Sequence, residues 1–222
     1  MIIILLCAVF NPFFDGNFTG TANGATALFE NPAGLGRSLI AENMLVYVRD
    51  SLSERLALNR IGFGVIKHQS VYTGEAAISL EPPGVFMVGY AIRFGLSGGQ
   101  SGMTHYLGAL TRLGSLGTAG FRTDIFEDTL HLSGGIAVEG LTKYLTLVWD
   151  GDYETKTADF DYHWGIQIHF TPSINCNFQT AREISNWHIG LGLGYKYIHL
   201  AGTYSAVDKS FGAGILIRVY AE

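Results

Sequence analysis

The chain has 222 residues, of which 48% are hydrophobic and only 15% are charged, and it contains 29 glycines, 14 phenylalanines and 11 tyrosines. This composition suits one domain of close-packed antiparallel strands and argues against a helical protein, because glycine and aromatic residues favour helices poorly. The net charge of −5 argues against a nucleic-acid partner, which would select a basic surface.

The chain begins with an apolar segment, residues 1–14, that we interpret as a signal peptide. The segment has about the length of a signal-peptide hydrophobic region and is too short to span a bilayer as a helix. It lacks a basic start, which a gene start a few residues upstream would explain, and a buried first strand is the alternative. Its removal would take Cys7 and leave Cys176 as a single cysteine, which cannot form an internal disulfide.

From residue 43 onwards, apolar residues recur at every second position in short segments, which is typical of strands in an all-β barrel or sandwich. We expect about 10–14 strands in total. Residues 97–102, 124–128, 150–159 and 180–186 are expected to connect them. The predicted strands cover residues 43–49, 60–67, 72–80, 85–95, 104–113, 116–123, 130–138, 143–149, 160–170, 173–179, 187–196, 198–204 and 211–219.

The segment 160–170 shows most clearly that the two faces of these strands differ. Phe160, Trp164 and Ile168 share one face, whereas His163 and Gln167 lie on the other. In the other segments, too, one face of the strand carries large apolar residues and the opposite face carries mainly glycine and small polar residues. A full row of aromatic residues on every strand would overfill a barrel of this size, so we predict that the glycine-rich face lines the lumen. The prediction is an all-β, antiparallel up-and-down transmembrane β-barrel. The alternative is a soluble barrel or sandwich with the faces inverted.

Residues 20–36 read GTANGATALFENPAGLG and precede the first predicted strand. Few of these side chains are bulky, so the backbone can lie close to a barrel wall. Asn31 can cap a helical turn that begins at Pro32. The phrase ALFENPAGL resembles the N-terminal signature of outer-membrane barrels of the PorV/PorQ and FadL/TodX (OMPP1) type. The closing strands, residues 191–219, are similar to the last hairpins of PorV-like proteins. The chain resembles an unusually short member of this group.

We predict a division into a signal peptide (1–14), an N-terminal plug or strap (15–42) and a β-barrel (43–222). The resemblance implies that the plug lies inside the lumen at the periplasmic end. The alternative is a strap that only leads into the first strand. The plug or gate candidates are Gly24, Phe29, Asn31, Pro32 and Gly34.

Ionisable residues on the predicted lumen face are expected to line water or to pair with one another. Asp161 could orient the imidazole of His163, but no nucleophile stands beside them, so we predict no catalytic residue. The histidines lack metal-ligand spacing, and we predict no metal or other cofactor. The lumen-lining candidates are Arg93, Arg112, His131, Asp161, His163, His169, His188, Lys196 and Arg218.

The resemblance implies two competing roles. PorV-like barrels are components of a protein secretion system, whereas FadL-like barrels take up hydrophobic small molecules by passive diffusion. We therefore expect a non-enzymatic protein of the bacterial outer membrane, in contact with outer-membrane lipid. Its expected partners are secretion-system components or a hydrophobic small molecule, and no nucleic acid.

Overall fold

The structure is a computed structural model that describes residues 13, 18–19, 24–37, 41–80, 85–97, 100–126, 129–182 and 185–219. The described residues form fourteen antiparallel strands in one closed barrel, as the sequence predicts, at the upper end of the expected number. The predicted signal peptide lies outside the described residues except for Phe13. The strands are β1 (Ala41–Val48), β2 (Ser51–Leu58), β3 (Ile61–His68), β4 (Val71–Ser79), β5 (Phe86–Ser97), β6 (Gln100–Arg112), β7 (Gly117–Phe126), β8 (Thr129–Thr142), β9 (Leu145–Glu154), β10 (Asp159–Thr171), β11 (Ile174–Ala181), β12 (Trp187–Tyr195), β13 (Ile198–Ser205) and β14 (Ser210–Val219).

The barrel closes because the last strand pairs with the first. Ala41 of β1 lies opposite Val219 of β14, and Val48 lies opposite Gly212. Every other strand pairs with its two neighbours in sequence, so the topology is up-and-down throughout. We call the end that carries Ala41 and Val219 the terminal end and the opposite end the distal end. The connections between strands are short at both ends.

Most strands follow the predicted order, with large apolar groups outside and small or polar groups inside. The exceptions are buried on the inner face in clusters with residues of the predicted plug, and they include Met44, Val46, Met87 and Leu110. Leu191 on β12 is 51% exposed and Phe170 on β10 is 61% exposed, whereas Arg93 on β5 is only 2% exposed. A soluble barrel would have the reverse arrangement, so the alternative of a soluble barrel is wrong. Aromatic rings form a continuous outer row across β10–β14, with centroids 4.9–6.4 Å apart, through Trp164, Phe178, Trp187, Tyr204 and Phe211.

Strand β2 is absent from the sequence prediction, because a charged side chain interrupts its apolar face. Leu52, Leu56 and Leu58 point outwards, but Glu54 lies between them on the same face. The expected connection at 150–159 is also partly wrong, since β9 continues to Glu154. Carboxylates on alternate residues of that strand face the lumen, and a polar lumen face reads as a loop in the sequence. Strands also continue into the expected connections at 97–102, 124–128 and 180–186.

Two short 3₁₀ helices, Gly24–Ala27 and Pro32–Arg37, precede β1. The second helix begins at Pro32, and the side-chain oxygen of Asn31 accepts a hydrogen bond of 3.1 Å from the backbone N–H of Ala33. This is the capped turn that the sequence predicts. None of the described helices is long and apolar enough to cross a bilayer.

Candidate functional site

The segment 24–37, which we call the plug, lies inside the barrel against strands β1–β6. Leu28 and Leu35 are fully buried, and both lie over Gly62 on β3. A Cβ atom on Gly62 would come within 2.9 Å of both leucine side chains. A Cβ atom on Gly64 would lie 2.6 Å from the ring of Phe29. Bare backbone on the lumen face of β3 therefore makes the space that the plug side chains fill.

Two further glycines form the seat of the second 3₁₀ helix. A Cβ atom on Gly89 of β5 would overlap the backbone of Pro32 and Ala33. A Cβ atom on Gly108 of β6 would overlap the side-chain oxygen of Asn31 and lie 2.9 Å from Pro32 Cδ. The amide nitrogen of Asn31 also donates to Ala109 O on β6, at 3.1 Å. The ENPAG phrase therefore fits a recess in the wall rather than spanning the lumen freely.

Charged side chains from three strands hold the backbone of Phe29, and we call them the clamp. Glu75 Oε1 on β4 accepts a hydrogen bond of 3.0 Å from Phe29 N–H. Arg93 Nη2 on β5 donates to Phe29 O at 2.9 Å, and Arg122 Nη1 on β7 donates to Phe29 O at 3.3 Å and to Glu30 O at 2.9 Å. Such charge-assisted bonds contribute about 1.5–3 kcal/mol each when buried.

The ring of Phe29 contacts two guanidinium groups. The guanidinium of Arg55 lies 5.1 Å from the ring centroid, and that of Arg93 lies 5.0 Å from it. Arg93 also stacks on Tyr106, at 4.2 Å. Phe29 has a φ of +72°, a backbone conformation that costs a non-glycine residue about 1–2 kcal/mol. The surrounding cation–π contacts and hydrogen bonds offset that strain.

Other contacts fix the plug on both sides of Phe29. Glu42 Oε2 accepts a hydrogen bond of 2.9 Å from Ala25 N–H. Arg55 Nη1 donates to Leu28 O at 2.8 Å. Towards the N-terminus, the Thr19 N–H donates to the carboxylate of Asp150 on β9. The clamp therefore belongs to a network in which inward-facing charges satisfy the plug backbone.

Glu30, beside the clamp, is half-buried in the turn between the two helices. Burial raises the pKa of the Glu30 carboxyl to about 7, although the charges of Arg122, Arg55 and Arg93 act in the opposite direction. The Glu30 carboxylate lies 4.0 Å from Arg122 Nη1. Glu30 is therefore the group of the plug whose charge changes near neutral pH.

The lumen-lining candidates occupy different places. Arg93 is in the clamp, and His188 is buried on the inner face of β12. Arg218 lies inside the terminal end, where its Nε is 3.4 Å from Glu42 Oε1. His169 lines a cavity described below. His131 is half-buried on the inner face of β8.

Three candidates lie at the rims. Arg112 and Asp161 are exposed at the terminal end of β6 and the distal end of β10, respectively. Lys196 is exposed in the turn between β12 and β13, not on the lumen wall, because β12 ends at Tyr195. The Lys196 ammonium lies over the Tyr195 ring, 5.6 Å from the centroid.

The Asp161–His163 pairing considered from the sequence does not form. Asp161 Oδ1 accepts a hydrogen bond of 2.8 Å from Tyr162 N–H. His163 Nδ1 instead lies 3.7 Å from Asp152 Oδ2 on β9, and its ring packs against Phe18 at 5.7 Å. Among the described residues, no group of three or more His, Cys, Asp or Glu side chains is placed to hold a metal ion.

Sequence reasoning missed most of the charged groups that hold the plug. The signal in the sequence is weak, because each is a charged residue on an inward strand face and no nearby sequence feature indicates its partner. Their partner is a plug backbone far away in sequence, which no local pattern reveals. The missed residues are Glu42, Arg55, Glu75, Arg122 and Asp150.

No protein-family model and no curated protein matches the chain. It is similar to the solved structure of a bacterial polysaccharide outer membrane secretin, with a TM-score of 0.54 and 7% identity over 81% of this chain and 98% of that one. The chain has the fold of a porin-type outer-membrane β-barrel. The KdgM porin aligns with a TM-score of 0.45 and 11% identity over 81% of this chain and 99% of that one. The NanC porin aligns with a TM-score of 0.42 and 10% identity over 82% of this chain and 100% of that one. Identities this low concern the fold alone.

Proposed function

We propose that the chain is a non-enzymatic barrel of the bacterial outer membrane whose plug keeps the lumen closed. Its role is that of a secretion-associated or structural barrel of the PorV/PorQ kind. The clamp on Phe29 is the observation that carries this proposal. The narrower family assignment rests on the ALFENPAGL phrase.

The clamp favours a permanently seated plug over a gate that opens freely. Glu75 and Arg93 are both nearly inaccessible to solvent, and each binds the Phe29 backbone as well as the other residue. Withdrawing Phe29 would leave the buried Glu75 carboxylate without the N–H that donates to it. It would also break the cation–π contacts of Arg55 and Arg93 with the ring. Each buried polar group left unsatisfied costs about 1–3 kcal/mol. A closed barrel with a fixed lumen suits an assembly component.

Passive uptake of hydrophobic molecules, the second role implied by the resemblance, receives less support. That role calls for an apolar crevice leading towards the plug. The cavity beside the plug instead has a mixed lining, in which the polar side chains of Gln167, His169, Asn175 and Arg218 accompany apolar groups such as Leu145 and Leu216.

The first experiment tests location and closure together. The full chain is expressed in a Gram-negative bacterium, and its membranes are fractionated and tested for heat-modifiable gel migration. The purified barrel is then inserted in a planar bilayer. We expect outer-membrane fractionation and little or no steady conductance. A large, stable conductance of the wild-type barrel would contradict the proposed closure.

The second experiment separates the secretion-associated role from a purely structural one. An affinity tag is placed in the exposed distal turn that contains Thr157, so that the plug and the terminal end stay unmodified. The barrel is then purified from its native membranes. Stoichiometric recovery of secretion-system proteins supports the first role. Recovery of the barrel alone supports the second. Saturable binding of laurate by the purified barrel would instead favour uptake.

A further inference from the structure

The lumen wall opposite the plug carries a different set of side chains from the clamp. A cavity of about 460 Å³ lies there at the terminal end, between Thr26 of the plug and strands β8–β14. This volume lies within the usual range of small-molecule sites. Gln167 on β10 and Asn175 on β11 both line it.

The amides on this wall form two matched pairs. Gln167 Nε2 donates to Asn175 Oδ1 at 3.1 Å, and Gln179 Nε2 donates to Asn177 Oδ1 at 3.2 Å. Asn175, Asn177 and Gln179 alternate along β11, so all three face the lumen. In each pair one Asn Oδ1 and one Gln Nε2 hydrogen are used, and most of the hydrogen-bonding capacity of the amides stays available.

The buried side chain of Gln179 has an amide oxygen that accepts no hydrogen bond within the described part of the chain. Gln179 is 3% exposed, and its Oε1 accepts no hydrogen bond from the described residues. A buried amide oxygen without a donor costs about 1–3 kcal/mol. Gln179 lies towards the distal end of β11 and does not line the cavity, so its orphaned oxygen describes this wall and not the cavity itself.

The neighbouring strand is shaped to leave these amides room. A Cβ atom on Gly190 of β12 would lie 2.6 Å from Asn177 Nδ2. A Cβ atom on Gly192 would lie 2.6 Å from Asn175 Oδ1. The bare backbone of β12 therefore allows the asparagine side chains to lie across it, and of these residues Asn175 and Gly192 line the cavity. This accounts for Gly190 and Gly192 in the GLGLG run of residues 190–194.

The charges around the cavity are largely balanced. Arg218 is held by Glu42 at 3.4 Å. Lys143 and Glu139 both lie at the terminal rim of the cavity, with opposite charge. His169 shares a hydrogen bond of 3.4 Å with the hydroxyl of Thr146. Amide and hydroxyl groups both donate and accept, as the hydroxyl groups of a polyol do.

We infer that this cavity binds a small, uncharged, polyhydroxylated solute, and that the amides of Gln167 and Asn175 contact it. The site goes beyond the proposed closed-barrel role and does not depend on it, because no clamp residue lines the cavity. The solute would enter from the terminal end of the barrel. Its hydroxyl groups would use the Asn175 Nδ2 donors and the Gln167 Oε1 acceptor.

The inference is tested by calorimetric titration of the purified full-length barrel with maltose as the probe. We expect saturable binding. Asn175→Leu and Gln167→Leu should each weaken it by about tenfold, since each leaves a solute hydroxyl without a partner. Asn43→Leu is the matched control, because Asn43 faces outwards on β1 and its replacement should leave maltose affinity unchanged.

A second variant tests the site without touching its polar groups. Gly192→Ala should displace the Asn175 side chain and lower maltose affinity, while Gly202→Ala, with no atom nearer than 3.9 Å to the added carbon, should not. Heat-modifiable migration checks that each variant folds.

Three results would overturn the inference: no saturable maltose binding, equal weakening by Asn43→Leu, or stronger binding of gluconate than of maltose. Because the titration measures neither conductance nor protein partners, failure here is distinguishable from failure of the closed-barrel proposal.

Discussion

The guanidinium of Arg93 and the carboxylate of Glu75 form an ion pair of 2.9 Å across β4 and β5, and both side chains are only 2% exposed. Each group has a second partner in the backbone of the same plug residue: Glu75 accepts from Phe29 N–H, and Arg93 donates to Phe29 O. The pair thus satisfies its own buried charges while it binds the plug. Wall stability and plug position are coupled through these two residues.

This coupling predicts the outcome of a double-mutant cycle. Arg93→Met leaves the Glu75 carboxylate buried without its cation, so we expect a loss of about 3–5 kcal/mol in the free energy of unfolding. Glu75→Leu should cost a similar amount. The double variant should lose clearly less than the sum of the two single losses. Urea unfolding in detergent micelles, followed by gel migration, measures all three, and additive losses would contradict the coupling.

The same variants should release the plug. Ala27 is fully buried, so a cysteine placed there in a Cys7→Ser/Cys176→Ser background should react slowly with a maleimide. Arg93→Met in this background should raise the labelling rate by about tenfold or more, corresponding to about 1.4 kcal/mol of lost docking energy. An Ala27→Cys barrel that labels equally fast with and without Arg93 would show that the clamp does not hold the plug.

The seat of the second 3₁₀ helix predicts a sharp difference between two glycines. Gly89→Ala places a methyl group on the backbone of Pro32 and Ala33, which cannot move aside as a flexible side chain can. We expect a cost of about 1–3 kcal/mol in unfolding free energy. Gly202→Ala, where the nearest atom is 3.9 Å away, should stay within about 0.5 kcal/mol of wild type. If Gly89→Ala and Gly202→Ala lowered the free energy of unfolding equally, the second 3₁₀ helix would not pack on Gly89 as described.

The raised pKa of Glu30, to about 7, predicts a pH dependence of stability. The folded protein favours the protonated carboxyl, so its contribution is present below the unfolded pKa of about 4.3 and is lost as pH rises through about 7. The urea concentration at the midpoint of unfolding should therefore decrease as the pH rises from about 5 to about 8. Glu30→Gln should remove this pH dependence.

Asp208, in the distal turn between β13 and β14, is the control for this experiment. Burial opposes its ionisation, but hydrogen bonds from the N–H and hydroxyl of Ser210 and the charge of Arg49 lower the pKa of Asp208 overall. Its contribution is present at neutral pH and is lost only as pH falls through that lowered pKa. Asp208→Asn should thus leave the slope near neutral pH intact. A slope that persists in Glu30→Gln would exclude Glu30 as its source.

Because the outer face of the barrel contacts lipid, the cost of an arginine substitution there should depend strongly on its depth in the membrane. Leu191 lies at the middle of β12 and is 51% exposed, so Leu191→Arg should cost about 2–4 kcal/mol in lipid vesicles. Leu116 is similarly exposed but lies in the turn between β6 and β7. Leu116→Arg should cost about 0–1 kcal/mol. Equal costs at the two positions, measured by urea titration in vesicles, would argue against a lipid-facing β12.

The alternation of residues along the chain by itself determines much of this architecture. In 160–170, side-chain direction follows from the pleat of a single strand, so the positions of Trp164 and His163 alone assign them to opposite faces. The capped turn at Asn31 and Pro32 is equally local, since its hydrogen bond spans two residues. Where the local signal is broken, as at Glu54 in β2, the prediction is wrong.

Only the tertiary structure decided how the plug is held. Glu75 and Arg93 are 46 and 64 residues from Phe29 in sequence, and they meet it because the barrel closes β1 on β14 and encloses the N-terminal segment. Gly89 and Gly108 likewise make room for Pro32 and Asn31 only once the barrel encloses the plug. Side-chain periodicity is a property of one strand, whereas these contacts depend on register and closure across the whole barrel, which no short stretch of sequence contains.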